Sequence, residues 1–197
     1  EKLKILSLNS NYIGCENKNV KKRDSKTPLF LFKKLLYDNE KGKKKVQNLF
    51  DIYDLFPNED VVIKAIGFFT SKLDGKEYIF IIYNYYPFQD LYDFLVESKR
   101  TIPEEQICNI TYQILNIMKL LKDRKVIHND IKLENFIIMQ QVPIKIGIID
   151  FDFAEKNKTF SRSNDGTLFY SAPEYFIENK RYFASDMWSL GVNLHIA

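Results

Sequence analysis

Two short polar segments carry the side chains that could do chemistry. Residues 128–135 read HNDIKLEN, and residues 148–152, which follow an apolar stretch, read IIDFD. Phosphoryl transfer needs a carboxylate that orients the attacking hydroxyl and a cation that meets the moving phosphate charge, and Asp130 and Lys132 are of these types. The simpler interpretation is a pair of solvated turns that contain Asp and Asn by chance.

The same segments offer ligands for a metal ion. Mg²⁺ is a hard cation that prefers oxygen, and Asn135 and Asp150 can each supply an oxygen atom. Both residues are expected in turns beside apolar strands, which hold a polar side chain rigid and leave it exposed. The residue types and their spacing therefore favour Mg²⁺-dependent phosphoryl transfer.

The elements that precede these segments are predicted to be a small sheet with one helix. Short apolar runs are typical of buried strands, and they occur at 29–32, 61–63 and 78–83. Apolar residues over 46–56 have helical spacing. A turn at Asp74-Gly75 is expected between the last two strands, and the basic segments 17–26 and 38–45 are expected to be solvated loops.

The remainder of the chain is predicted to be rich in helix. A short helix is expected over 90–98, and a longer one after Thr101, which forms a capping-box pattern with Glu104. One stripe of this longer helix is apolar and consists of Ile107, Ile110, Ile114, Ile117 and Leu121. Residues 144–149 are apolar and predict a further strand.

Composition excludes several classes of protein. Hydrophobic residues make up 45% and charged residues 28%, which is typical of a globular chain and not of a disordered one. The net charge of +3 gives no indication of nucleic-acid binding. No apolar run approaches the ~20 residues that span a bilayer. The two cysteines, Cys15 and Cys108, are expected to be reduced thiols, so we expect an intracellular protein, cytoplasmic or nuclear.

Two further motifs follow in order. Residues 166–174 read GTLFYSAPE, and residues 185–192 read SDMWSLGV at the start of a predicted helix. Together with the two polar segments, they resemble the signature motifs of the eukaryotic protein kinase family, serine/threonine branch. The resemblance runs from about Leu8 to the end of the chain, which stops inside the last predicted helix. The later helices of the family's large lobe are therefore expected to be missing.

The resemblance implies an α+β, two-lobed fold. Residues 1–83 would form an N-terminal lobe with an antiparallel sheet and one helix, and residues 84–89 would form the hinge. Residues 90–197 would form part of a mainly helical C-terminal lobe that carries the catalytic loop and the activation segment.

The resemblance also assigns roles in the C-terminal half. Asp130 matches the catalytic-loop aspartate, Asn135 and Asp150 match the metal ligands, and Lys132 matches the lysine that contacts the γ-phosphate. Thr167 matches the threonine of the loop that positions the substrate peptide. Lys132 and Thr167 together favour serine/threonine over tyrosine specificity.

Other positions are structural matches or departures from the family's pattern. Asp186 resembles the buried aspartate that ties the catalytic loop to the helix beneath it, and His128 resembles a structural histidine. Asn129 stands where many kinases have an arginine that pairs with an activation-loop phosphate, so that particular contact is not expected here. Asp152 replaces the glycine of the Asp-Phe-Gly motif.

The ATP site in the N-terminal half is more degenerate. In residues 8–14, which align with the glycine-rich loop, only Gly14 is a glycine, although Asn9 and Asn11 tolerate the positive φ angles of such a loop. Lys33 matches the ATP-anchoring lysine. Lys34 is the alternative, because a one-residue shift of the strand exchanges the two.

The partner and hinge residues are also implied by the resemblance. The predicted helix 46–56 has no glutamate to pair with the lysine, and Asp51 fits the spacing best, with Gln47 and Asp54 as alternatives. In the hinge, Tyr83 would be the gatekeeper. Adenine would be bound by the backbone around Asn84 and Tyr86, and the ribose would face Asp90.

Three functions are compatible with these residues. The first is a protein serine/threonine kinase that uses ATP and Mg²⁺ on a protein substrate, with no nucleic-acid partner and no membrane segment. The second is a pseudokinase that acts as a binding or scaffolding module, as the glycine-poor loop and Asp152 suggest. The third is a small-molecule kinase, similar to the choline and aminoglycoside kinases. The motifs at 166–174 and 186–191 favour a protein substrate over a small alcohol.

Overall fold

A computed structural model describes residues 3–8, 12–17, 30–36, 39–73, 75–84, 86, 89–98, 101–162 and 166–196. The chain divides into two compact units. The first comprises Glu1–Phe50 and Ile63–Pro87, and the second comprises Asp51–Val62 and Phe88–Ala197. The fold is of the α+β class, as expected, with an antiparallel sheet in the first unit and most of the helix in the second.

The first unit contains a five-stranded antiparallel sheet. Its strands are β1 (Leu3–Leu8), β2 (Tyr12–Asn17), β3 (Phe30–Leu36), β4 (Ala65–Leu73) and β5 (Lys76–Asn84). Their order across the sheet is β1-β2-β3-β5-β4. The predicted strands at 29–32 and 78–83 are confirmed as β3 and β5, and β5 pairs with both β3 and β4.

Aromatic side chains pack on one part of this sheet. Phe32 and Phe80 are buried together, and Phe69 stacks on Phe80 with ring centroids 5.1 Å apart. Helix α1 (Asn39–Tyr53) follows β3, and its residues Val46 and Leu49 are buried. The β-branched and aromatic residues of β3 and β5 favour strand over helix.

Three predictions for this region are wrong. From Asn39 the segment 38–45 is the first half of α1 and not a loop, because lysine is a good helix former even where it is solvated. Residues 61–63 form no strand, and only Val62 makes an isolated bridge, to Ile148. The partner of β5 across the turn at Gly75 is instead β4, whose largely exposed apolar residues gave no alternating pattern.

The second unit is built from helices and short strand pairs. Its helices are α2 (Glu104–Asp123), α3 (Pro173–Glu178) and α4 (Phe183–Ile196), with a π-helical turn at Asp93–Glu97 and 3-10 turns at Leu133–Asn135 and Leu168–Tyr170. Its strands are β6 (Val126–Ile127), β7 (Phe136–Gln141), β8 (Ile144–Ile148) and β9 (Glu155–Lys156). The predicted strand at 144–149 is confirmed as β8. The predicted short helix at 90–98 is confirmed over 91–97, where the π-helical turn continues a short α-helical start at 91–92.

Helix α2 supplies much of the core of the second unit. Its buried residues are Ile110, Ile114, Ile117, Met118 and Leu121. The predicted stripe is therefore confirmed except at its first member, Ile107, which is exposed. The predicted capping box is wrong: Pro103 is the N-cap, and no side chain caps the helix. The helix begins with the bonds that the carbonyl oxygen of Pro103 accepts from the backbone N–H groups of Gln106 and Ile107.

Two antiparallel strand pairs flank the catalytic-loop sequence. β6, which precedes it, pairs with β9 through Val126 and Ile127, and β7, which follows it, pairs with β8. The loop 128–135 is therefore fixed at both ends by backbone hydrogen bonds. Among the described helices, none has both the length and the apolar character that a membrane crossing needs.

Candidate active site

Asp130 lies at the centre of a buried hydrogen-bond network in the second unit. Only 6% of the residue is exposed. Its Oδ1 accepts bonds from the backbone N–H of Thr167 at 3.0 Å and from the Thr167 hydroxyl at 2.9 Å. Its Oδ2 lies 3.0 Å from Nζ of Lys132 and accepts a bond from Nδ2 of Asn135 at 3.2 Å. The structure thus brings together four of the residues that the sequence singled out.

The charges around Asp130 keep it ionised. Burial alone raises the pKa of its carboxyl, but the bond from Lys132, the positive charge of that lysine and the bond from Thr167 outweigh burial, and the pKa is lowered. Nζ of Lys132 also donates to the Thr167 hydroxyl at 3.3 Å. One cation therefore contacts both the candidate base and the threonine of the following segment.

The two candidate metal ligands lie on adjacent segments. The backbone N–H of Ile149, the residue before Asp150, donates to the carbonyl oxygen of Asn135 at 2.9 Å. Nδ2 of Asn135 donates to the backbone oxygen of Asp130 at 2.7 Å, which turns its amide nitrogen inward and leaves Oδ1 as the candidate ligand atom. Asp150 has φ of 64°, a conformation uncommon for residues other than glycine.

The donor chemistry of this pair fits Mg²⁺. An amide oxygen and a carboxylate are hard ligands, and Mg²⁺ commonly takes only one or two protein ligands, with phosphate oxygens and water completing its shell. Among the described residues, no group of three or more His, Cys, Asp or Glu side chains could hold a metal. A complete protein cage is therefore not formed by this part of the chain, and two ligands are compatible with an ion that arrives with a nucleotide.

Helix α4 holds the catalytic loop from beneath. The Asp186 carboxylate accepts bonds from the backbone N–H of His128 at 2.7 Å and of Asn129 at 3.0 Å. Burial raises the pKa of Asp186 to about 7, against the opposing effect of these two bonds. Asn193, two turns later, accepts from the N–H of Leu133 at 3.0 Å. Sequence reasoning anticipated Asp186 but missed Asn193, which is a polar residue on the buried face of a helix.

His128 is a structural residue in this network. Its Nε2 lies 3.3 Å from the carbonyl oxygen of Ile149, and its ring packs edge-on against Phe151 at 4.9 Å. Burial lowers the pKa of its imidazole, so the ring is neutral near pH 7. Its contacts hold the two candidate metal-ligand segments next to each other.

Asn129 is an uncharged residue at a position where the family often has an arginine. Its Nδ2 donates to the carbonyl oxygen of Phe153 at 2.8 Å and to the Ser161 hydroxyl at 3.2 Å. Its φ of 67° is one that asparagine adopts more easily than most residues. Asp152, which replaces a glycine, is not among the residues with positive φ, so it adds no backbone strain here.

The nucleotide-binding candidates of the first unit lie on its sheet. Gly14 is in β2, opposite Ser7 and Leu31. Lys33 is in β3, opposite Ile81, and its side chain is buried. Lys34 faces the other side of the strand, with Nζ 5.1 Å from the ring centre of Tyr78. The buried position supports Lys33 over Lys34.

The hinge candidates follow at the end of β5. Tyr83 is buried. Asn84 is the last residue of the strand and is exposed, and Tyr86 is half-buried. Residues 85, 87 and 88 of the predicted hinge, like Asn9 and Asn11 of the predicted glycine loop, lie outside the described residues.

Asp90, the candidate ribose contact, belongs to the second unit. Its Oδ1 accepts a bond from the backbone N–H of Asp93 at 2.9 Å, so the carboxylate caps the π-helical turn. Burial raises the pKa of this carboxyl. The side chain is therefore already positioned by its own segment.

Of the candidate partners of Lys33, Asp51 and Gln47 lie on α1, and Asp54 directly follows it. The Asp51 carboxylate accepts a bond from Nζ of Lys156 at 2.8 Å within the second unit. Gln47 and Asp54 are exposed. Because α1 begins earlier than predicted, it does contain one glutamate, Glu40, in its first turn.

Comparison with known proteins points in the same direction as the geometry. The model of the protein kinase domain family matches residues 16–197. A serine/threonine-protein kinase of Schizosaccharomyces pombe, ppk16, is 30% identical over 126 residues, which cover 61% of this chain and 18% of that protein.

Two other relatives cover slightly more of the chain. A probable serine/threonine-protein kinase KIN1 homolog of Enterocytozoon bieneusi is 31% identical over 147 residues, 71% of this chain and 23% of that protein. Mitogen-activated protein kinase kinase kinase 1a of Physcomitrium patens is 36% identical over 134 residues, 66% of this chain and 16% of that protein. The matches thus span less than a quarter of each relative. With a family match over most of its length, the chain belongs to the protein kinase domain family.

Proposed function

We propose that this chain is the catalytic part of a protein serine/threonine kinase that transfers the γ-phosphate of ATP to a protein hydroxyl. The observation that carries the proposal is the contact set of Asp130. Its carboxylate is held ionised, with Thr167 donating to Oδ1 and with Lys132 and Asn135 at Oδ2. A solvated turn would not bury a carboxylate and surround it with four oriented donor groups.

Asp130 would act on the acceptor hydroxyl. Its carboxylate accepts a hydrogen bond from the substrate hydroxyl and takes the proton as the oxygen attacks the γ-phosphorus. Lys132, 3.0 Å from the same carboxylate, would contact the transferred phosphate and reduce the cost of its developing charge. The bond to ADP breaks as the new P–O bond forms, so ADP and the phosphorylated hydroxyl are the products.

Asn135 and Asp150 would hold Mg²⁺ through the Asn135 amide oxygen and the Asp150 carboxylate. The ion, when bound with ATP, supplies charge neutralisation on the phosphate oxygens. His128 and the bond between Ile149 and Asn135 keep these two segments side by side.

Gly14, Lys33, Asn84, Tyr86 and Asp90 would bind the nucleotide. The support is strongest for Lys33, whose ammonium-bearing side chain is buried in the sheet of the first unit. Triphosphate oxygens are suitable hydrogen-bond and charge partners for a lysine ammonium group.

A protein substrate is supported by the segment that follows the activation loop. Thr167 donates to Asp130 and precedes a 3-10 turn and α3, which together form an ordered platform beside the candidate base. The bond from Lys132 to the Thr167 hydroxyl links the two residues that favour serine/threonine specificity. A kinase for small alcohols needs no such platform.

A pseudokinase is the second candidate. The glycine-poor segment 8–14 favours it, since side chains limit the approach of backbone N–H groups to phosphates. Against it stand the intact contacts of Asp130, Lys132 and Asn135.

The experiment is a transfer assay with the full-length protein. Labelled γ-phosphate from Mg-ATP is followed onto a generic basic protein and, in parallel, onto choline, with Asp130→Asn as the control. Transfer to protein that is lost in the variant supports the proposal. Transfer to choline alone would favour the small-molecule kinase. No transfer by a folded protein, with or without thermal stabilisation by Mg-ATP, would favour the pseudokinase.

A further inference from the structure

Arg181, between α3 and α4, is a buried cation that none of the motifs includes. Only 5% of the residue is exposed. Its guanidinium contacts a backbone carbonyl, a hydroxyl and an aromatic ring, all of them neutral groups. The charge of Asp186 acts on Arg181 without an ion-pair contact. Burying a cation whose direct contacts are all neutral costs free energy, so stability alone does not account for an arginine at this position.

One arm of the guanidinium holds the catalytic loop. Nη1 of Arg181 donates to the carbonyl oxygen of Asn129 at 2.9 Å. That carbonyl belongs to the peptide bond that leads into Asp130. The N–H of Asn129 is held by Asp186 at 3.0 Å. The residue before the candidate base is therefore fixed by a cation at its carbonyl end and by an anion at its amide end.

The other arm holds the segment that carries Thr167. Nη2 of Arg181 donates to the Ser171 hydroxyl at 3.3 Å, and that hydroxyl lies 3.5 Å from the carbonyl oxygen of Thr167. The guanidinium carbon lies 4.3 Å from the ring centre of Tyr175, the third residue of α3. A single planar group thus reaches two segments that meet at the Asp130 carboxylate.

Gly166 makes room for this arrangement. Its φ is 100°, and a Cβ there would lie 2.5 Å from the Asn129 carbonyl oxygen and 3.1 Å from Nη1 of Arg181. Only glycine lets the backbone pass this close to both atoms. The chain before Thr167 is therefore packed directly on the bond between Arg181 and Asn129.

The backbone of Arg181 is fixed from a third direction. Arg181 and Ser161 exchange two backbone hydrogen bonds, of 2.7 and 2.9 Å. The Ser161 hydroxyl in turn accepts a bond from Nδ2 of Asn129. The contacts form a closed ring through Asn129, Ser161 and Arg181, which restricts where the guanidinium can go.

We propose that Arg181 is a positioning residue that sets the geometry between Asp130 and Thr167. The role rests on the proposed kinase function. It needs the planar guanidinium, because one group must direct two donors at two segments, and a lysine ammonium on a flexible stem does not fix that geometry. Arg181 acts through Asn129 and Ser171 and touches no reacting group.

The test compares Arg181→Lys and Arg181→Met with Arg162→Lys and Arg162→Met in the full-length protein. Arg162 is an exposed arginine next to Ser161 and serves as the matched control. Assays are run well below each variant's melting temperature. For both Arg181 variants we expect kcat to fall by about 10- to 100-fold, as for other small misplacements of a catalytic group. KM for ATP should stay within about twofold, because the role is in orientation and not in nucleotide binding.

Hydrogen exchange gives a readout that does not need activity. The backbone N–H groups of residues 128–130 are expected to exchange about tenfold faster in the Arg181 variants, since loop opening becomes easier. Exchange in α2 (Glu104–Asp123) should be unchanged, and the Arg162 variants should match the wild type in both measurements.

The outcomes separate this role from the proposed function. Loss of kcat together with faster loop exchange supports both. If the wild type transfers no phosphate but Arg181→Lys still loosens residues 128–130, the kinase function fails and the positioning role stands. If Arg181→Lys keeps wild-type kcat and wild-type exchange, the positioning role is wrong whatever the function.

Discussion

The catalytic loop and the first turn of α4 each place a buried aspartate in the same network, and the two carboxylates differ in their pKa shifts. The pKa of Asp130 is lowered, although burial opposes this, because Lys132 and Thr167 donate to it. The pKa of Asp186 is raised to about 7 by burial, although His128 and Asn129 donate to it. The difference is whether a cation is in direct contact.

This difference in pKa separates a carboxylate that takes part in the reaction from one that holds the backbone in place. A carboxylate that must receive a proton during turnover has to be charged beforehand, and a cation at 3.0 Å ensures that. A carboxylate that holds a backbone loop needs acceptor atoms in the right places, and that role requires no cation in contact with it. Arg181 acts on Asp186 through its charge, without an ion-pair contact, and lowers its pKa only in part.

The largest effect on stability is expected from Asp186→Asn. An amide offers one acceptor oxygen to two backbone N–H groups and directs its own N–H₂ group at the second. Two unsatisfied buried donors at about 1–3 kcal/mol each give a loss of roughly 2–6 kcal/mol in the free energy of unfolding. Denaturant unfolding at pH 8, where Asp186 is mostly ionised, measures it.

Asp130→Asn is the matched change in the other region. It abolishes the proposed base. The amide can keep the bonds from Thr167, but its N–H₂ group then faces the donors of Lys132 and Asn135. Because the Lys132 side chain is 22% exposed and can turn to solvent, the loss in unfolding free energy should be smaller than for Asp186→Asn. If both substitutions destabilise equally, the separation between a chemical and a structural aspartate is wrong.

Gly166→Ala should produce the next largest effect. Its Cβ would meet the Asn129 carbonyl oxygen at 2.5 Å, and the φ of 100° is strained for alanine. We expect a loss of about 1–3 kcal/mol in unfolding free energy and a lower kcat. Gly191→Ala is the control, since nothing lies within 4 Å of its Cβ position in α4, and alanine is the better helix former. Equal behaviour of the two variants would remove the evidence for close packing at Gly166.

The sequence indicated the residues of this network that could do chemistry better than the residues that hold them in place. Asp130, Asn135, Asp150 and Thr167 lie in ordered motifs whose residue types are set by phosphoryl transfer, so a short window suffices to find them. Arg181 lies in no such window. Its role depends on partners that fold next to it from distant parts of the chain, 52 residues away in the case of Asn129.

The elements of the fold also divide into those that local sequence periodicity predicts and those that it misses. Strands β3 and β5 and the apolar stripe of α2 follow from local periodicity. The first half of α1 was predicted to be a loop because its lysines are solvated. A run of solvated lysines indicates that a segment is exposed, but it does not indicate the backbone conformation of that segment. Asn193 and β4 were missed for a related reason: a polar residue inside a buried helix face, and apolar residues on an exposed strand, contradict the pattern on which such predictions depend.

A smaller effect is expected from pH. Asp186 has a pKa of about 7 in the fold and 3.8 as the ordinary value, so the folded state binds its proton more readily than the unfolded chain does. Its contribution to stability is therefore present at low pH and is lost as pH rises from about 4 through 7. The charged side chains that act on it are Arg181, which lowers the pKa, and Asp130, which raises it.

Acidification from pH 8 to 6 should thus lower kcat, because protonation of Asp186 weakens its hydrogen bonds with the catalytic loop. Protonation of Asp186 should not by itself unfold the protein. The wild type should gain unfolding free energy relative to Asp186→Asn over the same range. The buried, neutral His128 opposes this trend below its ordinary pKa of 6.5, but it is present in both proteins and cancels in the difference. A difference that shrinks towards pH 6 would contradict the raised pKa.

The smallest effect should come from Thr167, which contacts Asp130 but not through a charge. Thr167→Ser keeps the hydroxyl and the backbone N–H that donate to Oδ1 at 2.9 and 3.0 Å, so kcat should stay within about threefold of the wild type. Thr167→Val keeps the shape and the N–H but loses the hydroxyl. Only one of the two donors from Thr167 to Oδ1 is lost, so we expect kcat to fall by no more than about 10-fold. Equal kcat values for the valine and serine variants would mean that the backbone N–H of Thr167, Lys132 and Asn135 orient the carboxylate without the hydroxyl.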